Sequence, residues 1–206
     1  INSCLNIVAD MNRDSIPPNE VTYNTLLAMF SKKRLQNACM DLFTEMKTLK
    51  IPVSTMIYNN LISMFGKLGE QEKAEQLFLE MKDLSSKFTT DPEEATKMFG
   101  SRGPPRPDSV TYNALMTMYV LKGNITSALA MLEEMKAKSV RPTVVTYSIL
   151  IDMYAKEPNV EKVDALMSEM ADAGLSPNIY TYTSLIHMYA RLGKFDLARE
   201  RLQEME

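Results

Sequence analysis

Few side chains in this sequence can attack a bond, exchange a proton near neutral pH or hold a metal. His187 is the only histidine, and Cys4 and Cys39 are the only cysteines. A histidine acting as general base needs a partner that orients it, and no carboxylate lies one helical turn to either side of His187. Cys4 and Cys39 are 35 residues apart, which is also the interval at which the rest of the sequence repeats. They read as small core residues one repeat apart, not as a disulfide or a ligand pair. No Cys/His set has zinc spacing, and the seven glycines are scattered, with none in a phosphate-cradling loop. The expectation is a protein that is not an enzyme and carries no metal or cofactor. One charged feature does recur. Lys32, Lys67, Lys156 and Arg191 each follow a tyrosine by nine residues, and Leu121, beside Lys122, fills the same slot in the remaining case. Near a helix C-terminus such cations complement the helix dipole.

The tyrosines set the frame. Tyr23, Tyr58, Tyr112, Tyr147 and Tyr182 are separated by 35 residues, except for one gap of 54, which is 35 plus an insertion of 19. Three residues after each comes Leu26, Leu61, Leu115, Leu150 or Leu185, and seven after comes Phe30, Phe65, Tyr119, Tyr154 or Tyr189. Offsets of 0, 3 and 7 lie on one face of an α-helix, so each unit opens with a helix, A, whose stripe is buried. A turn follows at Gly69, Gly123, Pro158 and Gly193, with Arg34 as the exception. A second helix, B, carries a small residue (Cys39, Ala74, Ala128, Val163, Ala198) and ends in Glu-Met, as at Glu45-Met46 and Glu169-Met170. Pro52, Pro107, Pro142 and Pro177 then stop helix B and reset the chain.

A fixed period of this length marks an all-α solenoid of stacked helical hairpins, each burying its apolar face against its neighbours. The units are a partial repeat 1–19, repeats 20–54, 55–108, 109–143 and 144–178, and a partial repeat 179–206. Together they form one solenoid, expected to be a piece of a longer protein. The 45% apolar content of 206 residues suffices for a continuous core, and much of the methionine recurs at fixed slots as core filler. No apolar run is long enough to span a membrane, and the start, Ile1-Asn2-Ser3-Cys4, has neither a signal-peptide core nor an Arg-rich leader.

The strings Val21-Thr22-Tyr23-Asn24, Val110-Thr111-Tyr112-Asn113 and Val145-Thr146-Tyr147-Ser148, with Glu-Met and Pro downstream at period 35, resemble the pentatricopeptide repeat family. The related tetratricopeptide repeat has a period of 34 and a Trp-containing helix A, and this chain has no Trp. The resemblance implies a right-handed superhelix that binds single-stranded RNA, usually in a mitochondrion or chloroplast, one base per repeat. It assigns base reading to the fifth and last residues of each repeat. The fifth residues are Asn24, Asn59, Asn113, Ser148 and Thr183, and the last residues are Asn19, Ser54, Asp108, Thr143 and Asn178. Val21, Met56, Val110, Val145 and Tyr180, at the second position, would flank the bases, and Lys32, Lys67, Lys156 and Arg191 would contact phosphate. By the family's pairing rule, Asn24 with Ser54 resembles a cytosine reader and Asn59 with Asp108 a uracil reader. Asn113 with Thr143 resembles a weak pyrimidine reader, and Ser148 with Asn178 an adenine reader. Read 5′ to 3′, the implied sequence is C-U-Y-A. Asn, Ser and Thr at helix starts are also favoured simply as caps.

The net charge of −3 is awkward for an RNA binder. Its acids concentrate in helix B (Asp41, Glu45, Glu72, Glu75, Glu80, Glu133, Glu134, Glu161, Glu169, Glu200, Glu204), which the family architecture places on the convex side. The insertion, about residues 83–105, reads as loop at Ser85-Ser86, Thr89-Thr90 and Gly100–Pro105. Asp91-Pro92-Glu93-Glu94 looks like the capped start of a short helix through Phe99. Phe88, Met98 and Phe99 would pack back on the solenoid or engage a protein partner. The leading expectation is an RNA-binding module of an organellar RNA processing, stability or translation factor. The alternative is a scaffold subunit of a large organellar complex, docking protein neighbours through the insertion and the acidic convex face.

Overall fold

The structure, a computed structural model, describes Met11, Arg13, residues 18–88 and residues 92–205. Most of the partial repeat 1–19, including Cys4, lies outside the described residues, as do Thr89, Thr90 and Asp91. Within them are eleven α-helices and no strand. They are α1 (Glu20–Lys32), α2 (Gln36–Thr48), α3 (Thr55–Leu68), α4 (Gln71–Lys87), α5 (Pro92–Phe99), α6 (Ser109–Leu121), α7 (Ile125–Ala137), α8 (Val144–Lys156), α9 (Val160–Asp172), α10 (Ile179–Arg191) and α11 (Phe195–Met205). Apart from α5 they are the alternating A and B helices of an α-solenoid. The chain forms two compact units, Ile1–Ala114 and Leu115–Glu206, divided within α6.

In the first unit α1 packs on α2 and α3 on α4, and α1 also packs directly on α3. In the second, α8 packs on α9 and α10 on α11, with α8 against α10. First helices of successive repeats are therefore in contact, which creates a seam between them. The buried stripe is the periodic one: Tyr23, Leu26 and Phe30, Tyr58, Leu61 and Phe65, and Tyr147, Leu150 and Tyr154 are all buried. The small slot of helix B is sealed at Cys39, Ala74, Ala128 and Val163, and so are the Glu-Met methionines Met46, Met81, Met135 and Met170. Burial pushes the Cys39 thiol above its usual range, the behaviour of an inert core residue. Neighbouring repeats are also keyed by aromatic rings at edge-to-face angles: Phe43 on Tyr58 at 5.5 Å and Phe78 on Tyr112 at 5.6 Å.

Both kinds of turn close in the same way. The residue after the αL position donates its N–H five residues back: Leu35 to Phe30, Glu70 to Phe65 and Lys194 to Tyr189 after helix A, and Ile51 to Met46 and Leu175 to Met170 after helix B. The αL residue is Gly69, Gly123 or Gly193 in three of the A–B turns, and Arg34, with φ of 57°, in the first. Around each of these glycines a Cβ would meet nothing within 4 Å, so the conformation alone calls for glycine.

The insertion differs from its reading as loop in one respect. Helix α4 continues to Lys87, so Ser85 and Ser86 are helical, because the stretch has no Gly or Pro to end it. The short helix after it runs Pro92–Phe99, followed by a 3₁₀ turn at Gly100–Arg102. Phe88 is buried and meets the ring of Phe99 at 5.2 Å, whereas Met98 stays exposed.

A left-handed conformation costs a residue with a Cβ about 1 kcal/mol, partly offset by the added unfolded-state freedom of glycine. Arg34→Gly should therefore stabilise the first unit by about 0.5 kcal/mol, read as a higher unfolding midpoint. A lower midpoint would show that the Arg34 side chain contributes more than its backbone costs.

Candidate functional site

Successive residues of an α-helix are turned by about 100°. With the tyrosine of each helix A pointing into the core, the residue after it faces the seam with the following helix A. The residue before it faces the preceding one, and the residue two before it faces solvent. That wheel places every position the resemblance singles out. The solvent-facing second residues are Val21, Met56 and Val110 in the first unit and Val145 and Tyr180 in the second, and each is between 52% and 73% exposed. Five large apolar side chains held in water at one repeat address are unusual for residues that serve only the fold.

Two of the fifth residues, Asn59 and Ser148, lie in the seams. Asn59 is only 8% exposed and donates from Nδ2 to Asp108 Oδ1 at 3.0 Å. Thr111, the third residue of the next repeat, donates its hydroxyl to Asn59 Oδ1 at 2.6 Å. The Thr111 backbone N–H donates to Asp108 Oδ1, and the Asp108 N–H donates back to Thr111 Oγ1, each at 3.0 Å. The second unit holds a matching cluster. Ser148 Oγ lies 2.8 Å from Thr181 Oγ1 and 3.2 Å from Asn178 Oδ1, and Asn178 Oδ1 accepts from the Thr181 N–H and hydroxyl. Fifth and last residues are thus brought together in these two repeats. Asn24 and Ser54 differ, since Asn24 Oδ1 and Ser54 Oγ are buried and have no hydrogen-bond partner.

The remaining positions are capping and surface sites. Asn19 caps α1 through Thr22, and Thr143 forms a reciprocal capping box with Thr146 at the start of α8. Asn113 is half-buried on α6. Thr183 is exposed and donates its hydroxyl to the Ile179 carbonyl. Lys32, Lys67, Lys156 and Arg191 are all exposed, with Lys156 ion-paired to Asp152 at 2.7 Å and Arg191 donating to the Lys156 carbonyl. His187 is exposed, and Ser184, one turn before it, gives its hydroxyl to Asp152 at 3.0 Å. Among the described residues no cluster of three His, Cys, Asp or Glu could hold a metal, and no helix is long and apolar enough to cross a membrane.

Two features escaped the sequence reading. The third-position threonines Thr111, Thr146 and Thr181 are fully buried polar residues, visible beforehand only as the repeated Thr-Tyr pair. The helix B acids are also not all an outer charge layer. Glu45 accepts from the Tyr23 hydroxyl at 3.0 Å and Glu169 from the Tyr147 hydroxyl at 3.2 Å, and Glu80 accepts from Tyr58. Lys47 pairs across to Glu80, and Lys136 to Glu169, so the three acids fasten Tyr23, Tyr58 and Tyr147, and Glu80 and Glu169 also tie neighbouring repeats. The Glu169 hydrogen bond raises the Lys136 pKa.

The insertion reaches this surface in the first unit. Arg102 pairs with Glu20 at 2.9 Å, and the Arg106 N–H bonds Thr55 Oγ1 at 3.2 Å. Phe99, Arg102 and Pro104 wall a cavity of about 210 Å³ whose opposite side includes Ser54 and Met56.

Family profiles match in register with these hairpins. The PPR repeat family profile covers residues 107–156 and 142–191, the pentatricopeptide repeat domain profile covers 6–68, and the PPR repeat profile covers 56–85 and 180–206. The chain belongs to the pentatricopeptide repeat family. Solved structures of the family share its fold. The pentatricopeptide repeat protein PPR10 in complex with an 18-nt psaJ RNA element superposes with a TM-score of 0.75 at 23% identity, over 96% of this chain and 26% of that one. PPR10 from maize gives 0.68 at 24% identity, over 94% and 25%. The PPR domain of Arabidopsis thaliana protein-only RNase P 1, in complex with tRNA, gives 0.62 at 17% identity, over 90% and 88%. This chain therefore spans about a quarter of the PPR10 chains. No curated protein matches it by sequence.

The Tyr–Glu pairs have a pH signature. Burial, reinforced by the Glu45 carboxylate, raises Tyr23 from its ordinary 10.0 to about 12, and burial with Glu169 does the same for Tyr147. A raised folded pKa favours the protonated state. The stabilisation is therefore complete below pH 10.0 and lost as the pH rises towards about 12. Tyr23→Phe should accordingly flatten the decline of the unfolding midpoint between pH 10 and 12, measured by circular dichroism. An unchanged slope would mean that the hydroxyl is not linked to folding.

Proposed function

We propose that this chain binds single-stranded RNA, one nucleotide per helical hairpin, as part of an organellar RNA processing, stability or translation factor. The observation that carries the reading is the unit built around the seams of Asn59 and Ser148. An exposed apolar side chain at the second position stands beside a polar pair formed by the fifth residue and the last. The apolar residue offers any base a face to pack on, and the polar pair offers its edge donors and acceptors. Two structural neighbours, PPR10 and the PPR domain of RNase P 1, were each solved with RNA, which supports the same reading. In the second repeat, Asn59 keeps an unshared N–H and Asp108 a second carboxylate oxygen, a donor and an acceptor side by side. Ser148 and Asn178 present a hydroxyl and an amide.

Taken over four repeats, the pairs imply C-U-Y-A. Fluorescence anisotropy with a short RNA carrying that sequence should show tighter binding than a scrambled one. Equal binding of the two would overturn base reading. With about four phosphate contacts, affinity should be modest, on the order of micromolar, and strongly salt-dependent. Replacing Lys32 and Lys67 together by Ala should weaken all RNAs alike and flatten the slope of log K against log salt by about 1.4. A loss confined to one RNA sequence would assign these lysines to base contact instead.

A further inference from the structure

In the proposed reading, the donor–acceptor character that a fifth-position asparagine shows a base depends on which way its amide is turned. We propose that the third residue of the following repeat sets that orientation and is a specificity-determining position. The inference rests on the RNA-binding reading above and deepens it.

Thr111 carries the argument. Its oxygen accepts the Asp108 N–H at 3.0 Å, so its single proton is directed elsewhere, and the shorter of its two acceptor contacts is Asn59 Oδ1 at 2.6 Å. Asn59 Nδ2 is drawn the other way, to Asp108 Oδ1 at 3.0 Å. An amide held at both ends cannot turn over, because the reversed group would set its N–H₂ against the Thr111 proton and its oxygen against a carboxylate. The free N–H of Asn59 is thereby a fixed donor. Opposite a pyrimidine, a fixed donor donates to the C4 carbonyl oxygen of uracil and clashes with the C4 amino group of cytosine. Thr181 occupies the same place in the other unit, fully buried between Ser148 and Asn178, and there the oxygen it holds is that of the last-position amide, Asn178 Oδ1.

The first repeat provides the contrast. There the third residue of the following repeat is Ile57, equally buried but without a hydroxyl. Asn24 Oδ1 and Ser54 Oγ are left buried and unpaired. No hydroxyl there holds the Asn24 amide oxygen, which is left to meet a cytosine amino group. Both the presence and the absence of one hydroxyl thus appear in the same chain with the expected consequence.

The test uses the full chain and RNAs that differ only at one nucleotide. At the nucleotide read by Asn59 and Asp108, Thr111→Val should reduce the preference for U over C by about tenfold, and Thr111→Ser should retain it. At the preceding nucleotide, Ile57→Thr should create a preference for U over C that the unsubstituted chain lacks. The readout is the U-to-C affinity ratio, which a merely structural role would leave unchanged. The gain at Ile57 tests the inference even if Thr111→Val folds poorly. Sequence-dependent binding with unchanged ratios in both variants overturns this inference alone. Absence of sequence-dependent binding by the unsubstituted chain overturns the functional reading, and the inference falls with it.

Discussion

A buried tyrosine whose hydroxyl is bound to a glutamate of the same hairpin, as at Tyr23, Tyr58 and Tyr147, determines where everything else on its helix points. Tyr23 to Glu45 and Tyr147 to Glu169 fix the rotation of helix A about its axis relative to helix B. A free rotation of even one residue's angle, about 100°, would carry the seam residues into water and the solvent row into the core. The hydroxyl bond matters because an apolar stripe alone tolerates some rolling, whereas a hydrogen bond to a carboxylate is directional. The lysine bridges Lys47 to Glu80 and Lys136 to Glu169 extend that register from one repeat to the next.

With rotation fixed, the division of labour on helix A follows. The third and fifth residues face opposite neighbours, so a polar pair across a seam always joins the fifth residue of one repeat to the third and last residues around the next helix start. Buried polar groups need partners, and in the seams of Asn59 and Ser148 each finds one in this triad. The same residues that cap the helices also occupy the candidate reading positions. Capping and base reading are therefore not competing explanations: the cap holds the last residue in place and leaves part of its donor and acceptor capacity free.

Charge is distributed by the same geometry. Within the net charge of −3, Glu80 and Glu169 are balanced locally by Lys47 and Lys136, and Glu45 accepts from Tyr23 inside its hairpin. The exposed Lys32 and Lys67 lie at the ends of first helices, clear of those pairs. The insertion, anchored by Phe88 on Phe99 and by Arg102 on Glu20, brings an added cation beside Met56 and Ser54 of the first unit.

The sequence by itself determined the period, the helical hairpins, the buried stripe and the solvent row. Each of these follows from local periodicity: a 3.6-residue turn converts spacing directly into direction. Helix α5 was legible for the same reason, from Pro and Glu at its start, whereas the extra turn of α4 through Ser85 and Ser86 was not, since serine is compatible with both helix and loop. The partnerships were left to tertiary structure. Asn59 meets Thr111 across 52 residues, Tyr147 meets Glu169 across 22, and Arg102 meets Glu20 across 82. No local signal distinguishes a capping asparagine from one held across a seam, or a solvated glutamate from one receiving a hydroxyl. That choice is made only when helices stack and desolvation obliges each polar group to find a partner.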